Sequence, residues 1–215
     1  MLALVEGQTE ERFVKDVLNL HLWARDKILI PKIATTKRVK KGPDFKGGIT
    51  DYQKVKNDLR RLLGDTGVAA VTSFIDYYGL PADFPGMDTR PKGTSLSKAN
   101  HVEQSWGEDI ANPRFHPFLM LHEFEALLFS KPDELCRALG QPKILDKLSA
   151  IRASFDTPED INDNPLTAPS KRIISLMPDY HKTLHGPIVS ERIGLETLCG
   201  ECPHFREWVE WLESL

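Results

Sequence analysis

Four acidic residues occupy positions where α/β proteins usually build a catalytic or metal site: Glu6, Asp76, Glu123 and Glu125. Glu6 closes the apolar run Ala3-Leu4-Val5 and precedes Gly7. Asp76 closes Val68-Ala69-Ala70-Val71-Thr72-Ser73-Phe74-Ile75. Glu123 and Glu125 follow the apolar stretch Phe115 to Leu121. Ligand sites in open α/β sheets lie at the carboxyl ends of strands. In a parallel sheet those ends share one edge, so residues far apart in the chain converge there. Hard oxygen donors on one edge suit Mg²⁺ or Mn²⁺. Such an ion orients a phosphodiester, polarises its oxygen and generates hydroxide. Glu10, about one helical turn past Glu6, either joins the set or serves only the helix dipole. Each acid alone reads equally well as a turn or cap residue. Their joint occurrence at three strand ends favours a metal site.

The elements that would carry these residues are legible in outline. Leu2 to Val5 is a short strand, apolar on both faces, as expected of a strand covered on both sides. Gly7 permits a tight turn, and Thr9 reads as the N-cap of a helix from about Glu10 to Ala24. Ile28 to Thr36 reads as a second strand. Tyr52, Val55, Leu59, Leu62 and Leu63 form a helical stripe ended by Gly64 and Gly67. Val68 to Ile75 is a strand, Leu96 to Ala111 a helix and Phe115 to Leu121 a strand. After Ser130 strand-like runs disappear. Helices are expected over Lys143 to Phe155, Ser170 to Met177, Ile188 to Leu198 and Pro203 to Leu215. Strands alternating with helices argue for a parallel sheet. The expected organisation is an α/β core over 1–130 and a helical extension, packed on it, over 131–215.

Length and charge narrow the function classes. The chain has 215 residues and a net charge of -3, so no global basic field announces nucleic acid. Three cysteines do not make a disulfide framework, which points to a reducing cytoplasm. No apolar run reaches the roughly 20 residues that span a bilayer, so no membrane partner is expected.

Two local basic features remain. Lys37, Arg38, Lys40 and Lys41 lie in a glycine-containing loop that either grips phosphates or is a solvated face. Lys171 and Arg172 follow Pro169-Ser170, an apparent helix start, where cations and backbone N–H groups would meet a phosphate. His181, His185, Cys199 and Cys202 are zinc-ligand types. Gly186-Pro187 follows His185 closely, however, and the plainer reading is surface histidines and small buried thiols. Trp208, Trp211 and Leu212 recur at helical spacing and suit core packing or the seam of a homodimer.

Taken in order, five stretches resemble the bacterial family of unknown function numbered 4276. They are Val5 to Phe13, Phe74 to Pro81, Leu121 to Phe129, Ala168 to Arg172 and Cys202 to Phe205, and they span nearly the whole chain. Val5-Glu6-Gly7-Gln8-Thr9-Glu10 also resembles the first motif of the TOPRIM fold, the metal-binding domain of topoisomerases, primases and OLD-type nucleases. The resemblance implies a TOPRIM-like, mostly parallel sheet flanked by helices, and Mg²⁺-dependent phosphodiester chemistry in defence against phage or plasmids. It also implies a neighbouring ABC-type ATPase. One departure stands out: Asp76-Tyr77-Tyr78 replaces the Asp-x-Asp of many TOPRIM proteins. Either Glu123 or Glu125 fills the vacancy, or the site holds metal weakly.

The expectation is therefore a nuclease or related phosphotransfer enzyme acting on DNA or RNA. Glu6, Asp76 and Glu123 would be metal ligands, with Glu125 and Glu10 in support, and Lys171 or Arg172 would stabilise the phosphate. The rival is a non-catalytic module that docks on an ATPase and senses nucleic acid or metal.

Overall fold

The first strand, β1 (Leu2–Val5), carries no polar side chain and is buried along its whole length. It can be central only if both of its faces are covered. A computed structural model of the chain, describing residues 1–35, 49–161 and 166–215, places it there. Among the described residues the sheet runs in the order β2 (Ile30–Ile33), β1, β3 (Val71–Asp76), β4 (Phe115–His116). A fifth strand, β5 (Leu119–Met120), continues along the β4 side of β3. Every pairing is parallel. The carboxyl ends of β1, β3 and β5 therefore lie side by side on one edge.

The single strand expected over Phe115 to Leu121 is in fact two short pieces. Pro117 lacks an N–H for the ladder. At the break the Ser73 hydroxyl accepts from the Phe118 N–H and donates to the Phe118 carbonyl, both at 2.8 Å. A side chain of the central strand thus replaces the missing ladder bonds.

Alternation along the strands sorts two cores. Ala3, Val5 and Phe74 face one side, while Leu2, Leu4, Val71 and Ile75 face the other. The second side is covered by α3 (Tyr52–Leu63) and α4 (Ser95–Ile110). Their N-caps are Asp51, which accepts from the Gln53 N–H, and Thr94, which accepts from the Ser97 N–H.

The first side is covered by a helix in three consecutive parts, α1 (Gln8–Phe13), a π-helical turn (Val14–Leu18) and α2 (Asn19–Trp23). Beside it pack a 3₁₀ helix (Phe124–Ser130) and helices of the C-terminal half: α5 (Pro132–Ala138), α6 (Leu145–Ala153), α7 (Pro169–Leu176), α8 (Lys182–Ile193), α9 (Leu195–Glu201) and α10 (Pro203–Ser214). The helix expected from Ile188 begins earlier, because Gly186 and Pro187 fall inside α8. Pro187, the sixth residue of α8, removes the N–H that would bond the Thr183 carbonyl, and that carbonyl accepts from the Arg12 guanidinium instead.

α10 is fastened to the sheet by aromatic packing. The Trp208 ring stacks on Phe118 at 4.5 Å and on Phe74 at 5.2 Å, and its N–H donates to the Thr72 hydroxyl. Trp208 and Leu212 are core residues, and Trp211 stacks on His116 at 4.0 Å. Each fully buried large apolar side chain contributes about 1.5–3 kcal/mol, so this sheet face depends on the C-terminal helices for much of its burial. No helix of the described residues is long and apolar enough to cross a membrane.

Candidate active site

Three adjacent strands deliver the acids. The Glu6 carboxylate reaches from the end of β1 to accept the Asp76 N–H at 3.3 Å. Asp76, the last residue of β3, accepts the Phe124 N–H at 2.9 Å. Phe124 opens the 3₁₀ helix that follows β5, and the backbone between them turns sharply: His122 has φ +66 and is fully buried. A left-handed backbone at a non-glycine residue costs energy and is held by its surroundings. Here the His122 carbonyl accepts the Tyr78 N–H at 2.9 Å, and the Met120 carbonyl accepts that of Tyr77. The two tyrosines after Asp76 thus pin the turn that presents Glu123 and Glu125.

Glu10 is not a surface helix-dipole residue. It is buried, and its carboxylate turns back to accept the Gly7 N–H at 2.9 Å. Gly7, not Thr9, is the N-cap, and Thr9 is buried against α8. Glu123 accepts the Ser170 N–H at 2.9 Å, at the start of α7. That backbone group, which the sequence offered to a phosphate, is taken by a carboxylate, as the positive end of a helix favours.

The cation against these acids is Lys182, the first residue of α8. Its ammonium donates to Glu123 Oε1 at 3.2 Å and to Glu125 Oε2 at 3.0 Å. The Tyr180 hydroxyl donates to the other Glu125 oxygen at 3.4 Å. α8 comes this close because residue 186 is glycine. A Cβ there would stand 3.1 Å from the Thr9 methyl and 3.2 Å from the Phe124 ring.

The electrostatics follow from packing acids together. Burial first, and then the neighbouring carboxylates, raise Glu6 to about 7 and Glu10 to about 8. Asp76 is held well above its ordinary range by burial and by the charges of Glu6 and Glu10. Burial also raises Glu125, against the pull of Lys182. Burial works against the Lys182 ammonium, yet Glu125, Glu123 and Asp76 together hold its proton more tightly than in an ordinary lysine. Glu10, Glu123 and Glu125 are buried, whereas Glu6 and Asp76 are only half-buried and form the open side.

The other candidates stand differently. Lys171 is exposed on α7. Arg172 donates to the Thr167 carbonyl and lies over the Phe155 ring at 5.3 Å. Lys37, Arg38, Lys40 and Lys41 lie outside the described residues. The Cys202 thiol is 3.5 Å from the Ser130 hydroxyl, and His185 accepts the His181 N–H. A cavity of about 670 Å³ lies between α4 and α10, lined by Glu103, His116 and His204 among others, and none of the five acids lines it.

As donors, the acids suit a hard divalent cation, which prefers carboxylate oxygen. Their crowding raises proton affinity in the way that a bound cation would relieve. Among the described residues, however, no three of His, Cys, Asp or Glu are positioned to hold an ion together. Sequence reasoning missed Lys182 and Tyr180, which stand 59 and 55 residues from their glutamate partners and belong to no recognisable spacing.

Fold and site together define an α/β protein whose parallel sheet gathers carboxylates at its carboxyl edge, with α8 closing over them. The chain belongs to the family described as a domain of unknown function, DUF4276, whose model matches residues 5–213. No curated protein and no solved structure matches it.

Proposed function

We propose that this chain is a Mg²⁺- or Mn²⁺-dependent nuclease, or a related phosphotransfer enzyme, acting on nucleic acid in the cytoplasm, in defence against phage or plasmids. One observation carries the reading: Glu6, Asp76 and the Glu123/Glu125 pair come from the carboxyl ends of neighbouring parallel strands and crowd into one partly buried cluster. A bound divalent ion would supply a Lewis acid and an activated water. Glu6, Asp76 and Glu123 would hold it. Glu10 and Glu125 would tune its field, and the half-buried side at Glu6 and Asp76 would admit the phosphodiester. Lys171 would meet the phosphate from α7.

The test is Mn²⁺- or Mg²⁺-stimulated cleavage of supercoiled plasmid and of structured RNA by the purified protein, with and without a co-encoded ATPase. Asp76→Asn should lower the rate by at least about a hundredfold, the scale reached by disturbing even the support of metal ligands. Equal rates in wild type and Asp76→Asn, or cleavage in excess chelator, would sink the reading.

A second reading keeps the fold and drops the chemistry: a TOPRIM-like module that docks on an ABC-type ATPase and senses nucleic acid or metal. Tyr78 in place of a second aspartate favours it, as does the lack of three converging donors among the described residues. A calorimetrically silent Mn²⁺ titration beside a stable ATPase complex would select it.

A further inference from the structure

We infer that Lys182 is a built-in counter-ion that competes with the divalent cation, so that the metal binds as the ammonium leaves Glu123 and Glu125. This inference rests on the metal-site reading and adds a means of regulation to it. Glu123 Oε1 and Glu125 Oε2 are both committed to the ammonium, at 3.2 and 3.0 Å. The remaining Glu123 oxygen is held by the Ser170 N–H, and the remaining Glu125 oxygen by the Tyr180 hydroxyl. Each of the four oxygens of these two acids thus already has a partner, and among the described residues no three acidic side chains are positioned to hold an ion together. Donors of the right chemistry thus fail to converge because a cation of the protein's own already draws them.

The ammonium is placed to leave. It heads α8, where the positive end of the helix disfavours a cation. Its side chain is 41% exposed, so a change of rotamer carries it into water without moving the helix. A lysine is a compact charge on a flexible stem, unlike the rigid fork of arginine. A divalent ion and the ammonium cannot share the same carboxylate oxygens without strong repulsion at contact distance.

The experiment is Mn²⁺ binding by calorimetry to the chelator-stripped full chain, wild type against Lys182→Gln. Removing the competitor should tighten Kd for Mn²⁺ by about tenfold or more, within the usual range of coupling between two binding events. Binding of Mn²⁺ to wild type with equal or weaker binding to Lys182→Gln overturns the counter-ion role and leaves the metal site standing. No binding to either protein overturns the metal site itself. A measurement on wild type alone guards against misfolding of the variant. The rate of acylation of Lys182 by an amine-reactive ester, followed by mass spectrometry, should rise several-fold when Mn²⁺ is added. A rate unchanged by saturating Mn²⁺ overturns the proposal.

Discussion

Glu6→Gln replaces one oxygen by nitrogen at the centre of the acidic site, and it should stabilise the ion-free protein at alkaline pH. Glu6 titrates at about 7 in the fold against an ordinary 4.5, with burial as the main cause. A carboxylate whose folded value is raised gives up its proton more readily when unfolded. The unfolded chain therefore ionises from about pH 4.5 upward, while the native chain holds its proton to about 7. Stability is lost across that window and stays lost above it. At about 1.4 kcal/mol per unit, the full cost is about 3 kcal/mol.

Glutamine removes that cost and keeps an oxygen for the Asp76 N–H. Its amide NH₂ needs a partner, however, and a buried unsatisfied donor costs about 1–3 kcal/mol. Losing the Glu6 charge also eases Glu10 and Asp76, which feel it directly. The expected net gain at pH 8 is about 1–3 kcal/mol. For a chain of this size that raises Tm by about 2–4 °C per kcal/mol. The assay is urea denaturation in EDTA at pH 8 and pH 4. At pH 4 both forms of Glu6 are protonated in wild type, so the gain should vanish. With Mn²⁺ at pH 8 the order should reverse, because an ion bound only to the native state stabilises it. A variant less stable than wild type at pH 8 in EDTA, or a gain of equal size at both pH values, would refute the electrostatic account.

Gly186→Ala should cost about 1–3 kcal/mol in urea titrations through overpacking, because its Cβ meets the Thr9 methyl and the Phe124 ring. It should also disturb the Lys182 contacts, read as a changed Mn²⁺ affinity. Glu159→Ala should destabilise by about 1–3 kcal/mol. The buried Glu159 carboxylate accepts both the His204 and Phe205 N–H groups at the start of α10, and calorimetric Tm is the check. Trp208→Ala should cost about 3–5 kcal/mol, since it removes the stack on Phe74 and Phe118 and the bond to Thr72. Metal affinity measured on the folded fraction should be unchanged, because Trp208 touches none of the acids.

Much of the scaffold is written locally. β1 is apolar on both faces, which only a covered central strand explains, and β3 alternates Val71 and Ile75 on one face with Phe74 on the other. Asp51 and Thr94 cap α3 and α4 because a short side-chain oxygen reaches the free N–H groups of a first turn. From those strands the parallel edge follows, and with it the approach of Glu6 and Asp76 to the segment bearing Glu123. Local pattern misplaced what depends on distant partners. Thr9 has the chemistry of a cap but is buried under α8, and Glu10 has the chemistry of a solvent-facing acid but turns inward to Gly7. The strand from Phe115 breaks at Pro117 because Ser73, on another strand, can mend the gap.

The residue types at the carboxyl edge, and the strands that carry them there, were set by the sequence alone, through alternation and capping that act over a few residues. Only the tertiary structure decided that Lys182 would be their counter-charge. That pairing depends on α8 packing against α1 and Phe124 at Gly186, and contacts of that range leave no period in the chain.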